Sequence, residues 1–316
     1  MGMQTQQIGT SELRSTRLSY GCMRYLGVWD PAQVTPERIA QSHRAITAAR
    51  EAGYTLYDHA DIYSRGMAET VFGQYLAANP GWRDQIIIAT KCGIRFDGDP
   101  KPASPHRYDF SKEHILWSCD QSLKRLQTDR IDIYQLHRPD ILMDPAEVAE
   151  AFAQLYKAGK VKYFGVSNFL PSFVSLLQKF LPDKLLVNQI EVHLGRLDPF
   201  VDGTLDQCIA EKITPLSWSP LAGGFLGEGG KVPDKHRRQE VMLKLVQDID
   251  EIARRYGVSR TVMALAWLLK HPSKIIPIVG SSNPEHIRAA VKADEINLDR
   301  EDWYRLYVSA RGEKLP

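Results

Sequence analysis

Short runs rich in β-branched and aromatic residues alternate along the chain with longer stretches of helical period. The pattern predicts strands at Arg17–Cys22, Thr55–His59, Gln85–Lys91, Ile131–His137, Val161–Ser167, Leu185–Glu191, Thr214–Ser219 and Lys274–Val279. Two of them, Ile86-Ile87-Ile88-Ala89-Thr90 and Ile275-Ile276-Pro277-Ile278-Val279, are nearly continuous apolar runs, as parallel strands buried on both faces require. Helical patterns fill the gaps. Pro36 to Ala52 places Ile39, His43, Ile46 and Ala49 on one face behind a Thr35-Pro36 start. Ser111 to Leu126 opens on a Ser cap, and Asp144 to Ala158 closes at Gly159. Leu170 to Phe180, Gly203 to Lys212, Arg238 to Tyr256, Arg260 to His271 and Pro284 to Ala293 read the same way.

Eight strands alternating with helices, with no break in composition, predict one α/β domain over residues 1–316, a closed (β/α)8 TIM barrel. The competing doubly wound open sheet lacks its Gly-x-Gly-x-x-Gly fingerprint after a strand. Two connections are long, about 92–110 after the third strand and about 221–239 after the seventh. Unstructured loops of that length over a compact domain usually bind or cover a ligand.

The composition narrows the function classes. The chain has 316 residues, 43% of them hydrophobic, and a formal charge of +2, which points away from nucleic acid as a partner. No apolar run approaches a membrane span. Four cysteines without a Cys-x-x-Cys pair, behind a polar N-terminus, predict a reduced cytoplasmic protein. A monomer or weak homo-oligomer is the default expectation for its assembly. His59, His137 and His193 lack i, i+4 helical spacing, so no metal site is expected. Cys92 reads as a small hydrophobe.

Candidate chemistry sits at the strand ends. Asp58 ends the second strand, Tyr63 follows five residues later, Lys91 closes the third and His137 the fourth. In a barrel these ends converge on one face. Reducing a carbonyl needs a hydride and a proton. A tyrosine, with an ordinary pKa of about 10, can give the proton, and an adjacent lysine ammonium is expected to lower that pKa by up to about 3 units. Asp58 would keep Lys91 charged, and His137 would orient the substrate oxygen. Met23 and Trp29, after the first strand, are candidate pocket walls, as are Arg95 and Phe96 in the first long loop. Two other readings stand beside the reductase: a cofactor-binding regulatory subunit with little turnover, and a barrel hydrolase using Asp58 and Asp61.

The ordered set Tyr57-Asp58-His59-Ala60-Asp61-Ile62-Tyr63, Ala89-Thr90-Lys91, Gln135-Leu136-His137, Gly165-Val166-Ser167-Asn168-Phe169, Asn188-Gln189, Ser217-Trp218-Ser219-Pro220-Leu221 and Gly280-Ser281-Ser282 resembles the aldo-keto reductase family over nearly the whole chain. The resemblance implies NADP(H)-dependent reduction of an aldehyde or ketone, with Asp58, Tyr63, Lys91 and His137 as a catalytic tetrad. It further implies that Ser167, Asn168 and Gln189 hold the nicotinamide carboxamide and that Trp218, where many members carry Tyr, stacks on the ring. Ser219, Pro220, Leu221 and Gly223 would run along the pyrophosphate, and Gly280, Ser282 and His286 would lie near the adenosine. The family's basic residue after the eighth strand is missing: His286 stands where Arg or Gln is common, and Ala289-Ala290 where Glu-Asn is common. NAD(H) is therefore the alternative cofactor.

Overall fold

The computed structural model describes residues 2–316. Eight strands close into a barrel, all neighbours parallel: β1 (Ser19–Gly21), β2 (Leu56–Asp58), β3 (Ile87–Cys92), β4 (Ile131–Leu136), β5 (Val161–Ser167), β6 (Val187–Glu191), β7 (Thr214–Trp218) and β8 (Ile276–Val279). Each pairs with the next in sequence, and β8 returns to β1 through Ile278↔Ser19. Alternate residues point inward, as the two-residue period of a strand demands. Leu56, Ile87, Ala89, Ile133, Val187, Leu216, Ile276 and Ile278 fill the centre.

Helices α1 (Pro36–Glu51), α2 (Met67–Ala77), α3 (Lys112–Leu126), α4 (Pro145–Lys157), α5 (Pro171–Gln178), α6 (Thr204–Glu211), α7 (Gln239–Arg255), α8 (Arg260–Leu269), α9 (Pro284–Ala290) and α10 (Arg300–Arg311) surround the barrel. The starts follow local chemistry. Thr35, Ser111, Asp144, Ser259, Asn283 and Asp299 accept a hydrogen bond from a first-turn amide, and Pro occupies the first turn of α1, α4, α5 and α9.

Several expectations need correction. β1 is shorter than Arg17–Cys22, because Arg17 turns outward to Asp294 and the Leu269 carbonyl. β8 begins at Ile276, because Lys274 takes a left-handed φ of 58° that ends extended pairing. Arg83–Gln85 is a 3-10 turn, so β3 starts at Ile87. The helix expected to run to Ala293 stops at Ala290 and tightens into a 3-10 turn. Helices α2 and α10 were not expected. The first long loop holds a two-stranded hairpin, Ile94–Arg95 with Arg107–Tyr108, braced by Arg95 against Asp99 and Asp109.

The N-terminus forms a further hairpin, Thr5–Gln7 with Arg14–Thr16, across the strands' N-terminal ends. Its turn inserts Ile8 into the inner core, and the Gly9 amide donates to Thr214 Oγ1 at 2.8 Å. Gly9 has φ 52°, and a Cβ there would stand 2.6 Å from Leu186 Cδ1, so only glycine fits the plug.

Candidate active site

The strand ends opposite that plug bring Asp58, Lys91, His137, Ser167, Gln189 and Trp218 to one place, because each is the last inward-facing residue of its strand or the one just beyond it, or, for Gln189, the last but one. Lys91 is fully buried and carries the centre of the site. Its Nζ lies 2.9 Å from both Asp58 oxygens, donates to the His59 carbonyl at 2.6 Å and to Tyr63 OH at 3.1 Å. Burial alone would depress the lysine. The facing Asp58 and Tyr63 outweigh it and hold Lys91 above its ordinary value.

The chain between β2 and Tyr63 does not leave the barrel at once. His59 and Asp61 donate backbone hydrogen bonds to the Ala89 and Lys91 carbonyls at 2.8 and 3.0 Å. Ser64 and Arg65 then adopt left-handed φ of 48° and 52°, and Ser64 Oγ donates to the Val28 carbonyl at 2.5 Å. Two successive non-glycine residues in that region are strained, and the tight reversal fixes Tyr63 beside Lys91. Behind them Glu69, fully buried on α2, accepts from Thr90 Oγ1 at 2.6 Å and Arg125 Nε at 2.8 Å, bracing α2 against β3 and α3.

The electrostatics of Tyr63 depart from expectation. Burial pushes its phenol up to about 12, and Lys91 offsets that only in part, with Asp58 opposing. The cation lowers the pKa as anticipated, yet desolvation wins. Tyr63 is therefore a neutral phenol at neutral pH. His137 is also neutral: burial first, then Lys91 and Arg138, hold it well below the usual imidazole range. The two rings meet edge to face, centroids 6.1 Å apart. His137 Nδ1, and both amide atoms of Gln135 beneath it on β4, have no hydrogen-bond partner among the described residues.

Beside this cluster the structure assembles a polar shelf. Asn168, at φ 61°, donates Nδ2 to Ser167 Oγ at 2.8 Å and accepts at Oδ1 from Trp218 Nε1 at 2.9 Å. Ser167 Oγ donates to the Gln189 carbonyl at 2.9 Å, and Gln189 Nε2 to Asp58 Oδ1 at 2.7 Å. The indole bond is one a tyrosine ring could not make. Past Trp218, left-handed φ values at Ser219, Ala222, Gly223 and Gly224 turn the backbone sharply beside Pro220 and Leu221. A Cβ at Gly223, Gly224 or Gly280 would meet nothing within 4 Å, so this surface is open to close approach.

Among the other candidates, Trp29 is 54% exposed and stands edge-on to Tyr63 at 6.5 Å, while Met23 packs on the apolar cluster that contains Tyr63. Arg95 is engaged in its two ion pairs, and Phe96 carries the Arg65 guanidinium 4.6 Å from its ring centroid. Three residues were missed. Arg138 lies over the Trp218 ring at 5.4 Å, and Gln41 and Arg44 of α1 join Ser282, Asn283 and Pro284 around a cavity of about 300 Å³. His286 is exposed and does not line it. The only signal for Gln41 and Arg44 was their i, i+3 spacing on the outer face of α1.

Comparisons with known proteins bear on the family and the fold. The model of the aldo/keto reductase family matches residues 17–308. An uncharacterised oxidoreductase of Bacillus subtilis is 45% identical over 84% of this chain and 86% of its own length. The 6-dehydroglucose reductase of Novosphingobium aromaticivorans is 38% identical over 98% and 97%. The holo structure of an aldo-keto reductase from Bacillus halodurans, 26% identical, covers 97% of this chain and 96% of its own with a TM-score of 0.81. The chain is an oxidoreductase that belongs to the aldo/keto reductase family.

Proposed function

We propose that this enzyme reduces an aldehyde or ketone with NADPH, and that Tyr63 gives the proton. The observation that carries the reading is the buried Lys91, touching Tyr63 OH and Asp58 together. A bound nicotinamide supplies the hydride. The remaining work belongs to the chain. Tyr63, neutral and buried, donates its phenolic proton to the carbonyl oxygen as that oxygen gains charge. The Lys91 ammonium, 3.1 Å away, stabilises the phenolate left behind. Asp58 keeps that ammonium charged. A neutral His137 offers an N–H to the substrate oxygen and sets its position. Such acid catalysis contributes about 10²–10⁴-fold.

The cofactor seats fit the surfaces described. Ser167, Asn168 and Gln189 present hydrogen-bonding groups for a carboxamide, and Trp218 presents a flat face for the ring. Ser219, Pro220, Leu221 and Gly223 form the open turn for a pyrophosphate. Gly280 and Ser282 lead to the α1 cavity, where Arg44 has no carboxylate within ion-pair distance among the described residues. That guanidinium replaces the basic residue missing after β8, which favours NADPH over NADH. Since the Novosphingobium relative is named for a dehydroglucose, sugar-derived carbonyls head the substrate list.

The test is NADPH oxidation over a carbonyl panel, repeated with NADH and with Y63F. Turnover should fall about 10²–10⁴-fold in Y63F while NADPH still binds. Undiminished turnover in that variant would remove Tyr63 as the proton donor.

A further inference from the structure

On β4 and just past its end, three sealed polar atoms have no partner among the described residues: Gln135 Nε2, Gln135 Oε1 and His137 Nδ1. The two residues stand two apart, and the His137 amide extends the ladder by donating to the Cys92 carbonyl at 2.9 Å. Their side chains therefore share the inner face of the barrel, with Cα atoms about 6.5 Å apart at the rise of a strand. Gln135 is fully buried and pairs in register with Lys91 on one side and Gly165 on the other. A Cβ at Gly165 would stand 3.4 Å from Gln135 Cγ, so the glycine leaves that stem its room. Lys91 cannot serve the amide, because its ammonium is already directed to Asp58, His59 and Tyr63. The ring two residues on is unserved too.

The other nitrogen of that ring is placed differently. His137 Nε2 is not among the sealed atoms, so it looks to the open side, where the ring stands edge to face with Tyr63. A neutral imidazole carries one proton, and a bond accepted at one nitrogen keeps the proton on the other. We propose that Gln135 is a positioning residue that fixes the tautomer of His137: its Nε2 donates toward Nδ1, directly or through one enclosed water, and holds the proton on His137 Nε2, where the substrate oxygen arrives. The proposal rests on the carbonyl-reducing reading above. It goes beyond that reading by giving control of the His137 proton to a residue that is sealed from both substrate and nucleotide. An amide suits the task because it can donate. An ionised carboxylate of the same shape can only accept, and would draw the proton to Nδ1.

Nitrogen NMR of enzyme labelled at its histidines reads the tautomer, since protonated and bare ring nitrogens resonate far apart, and H137Q identifies the signals. The native enzyme should show one neutral form with the proton on Nε2. Q135E should move it to Nδ1. Q135L, which offers no polar atom, should give both forms and keeps the test open should Q135E fail to fold. Turnover of a simple aldehyde should fall about 10–100-fold in Q135E, as when the orienting partner of a metal-bound histidine is removed, with the Kd for NADPH unchanged. A packing role alone would alter the melting temperature and leave the proton where it was. A native enzyme protonated at Nδ1, or the Nε2 form alone in either folded variant, would overturn the assignment. If the native enzyme shows the Nε2 form and the variants shift it, yet no carbonyl is reduced, the proposed function fails and the tautomer assignment stands.

Discussion

The Tyr63 cluster and the Arg44 cavity are built on different principles. At the Tyr63 end every key side chain comes from the inner face of a barrel strand or the turn after it. The charges are buried, and Lys91, Gln189 and Trp218 each direct a donor into the cluster. At the Arg44 end the groups lie on α1 and on the segment after β8, exposed and lining an open cavity. The first is preorganised in a low dielectric, where a misplaced charge is costly. The second presents an exposed cation to solvent. The buried charges are carried on strands, and the exposed cation is left to the outer layer.

The comparison is broken most severely by K91M. Removing a buried ammonium leaves Asp58 uncompensated, so turnover should drop by orders of magnitude and stability by about 3–5 kcal/mol. Denaturant titration beside a rate assay reads both, and a variant that loses rate alone would show that the pair does not hold this end together. The opposite end should yield a milder and more selective effect. R44A should raise the KM for NADPH about tenfold and leave that for NADH unchanged. Equal changes for both nucleotides would place Arg44 outside the 2′-phosphate seat. W218F keeps a ring face but loses the bond to Asn168, so NADPH affinity should fall about fivefold, read by isothermal titration.

The smallest effect concerns acid. Burial, then Lys91, lowers His59 from 6.5 to about 3, so it stays neutral when folded. Its contribution to stability is complete above pH 6.5 and is lost as pH falls toward 3. Melting temperatures of native enzyme and H59N should differ most near neutrality and converge in acid. Parallel curves would acquit His59 and leave the acid sensitivity to other groups.

The same division explains what the sequence disclosed. The strands carried period-two and apolar signals, so Asp58, Lys91 and His137 could be placed by their strand ends. Helix α2 was missed although Ala68, Val71, Phe72, Tyr75 and Leu76 form an i, i+3, i+4, i+7, i+8 stripe: Glu69 and Gly73, buried beside it, blur the contrast between its faces. The net rise of the Tyr63 pKa was not legible either, since sequence shows a neighbouring lysine but not how completely the site is sealed. Arg44 was out of reach for another reason. It meets Ser282 only after the barrel closes, 238 positions of chain apart by their numbers. Residues joined by a strand end announce themselves, while residues joined by closure of the ring do not.

The N-terminal hairpin decides which pole of the barrel can be used. With Ile8 seated in the inner core and Gly9 tied to Thr214, that pole is stoppered beneath a centre already filled by side chains. Anything that reaches Tyr63 therefore has one side by which to come and the same side by which to go, and loosening the stopper would unseat the packing of the ring before it opened a second door.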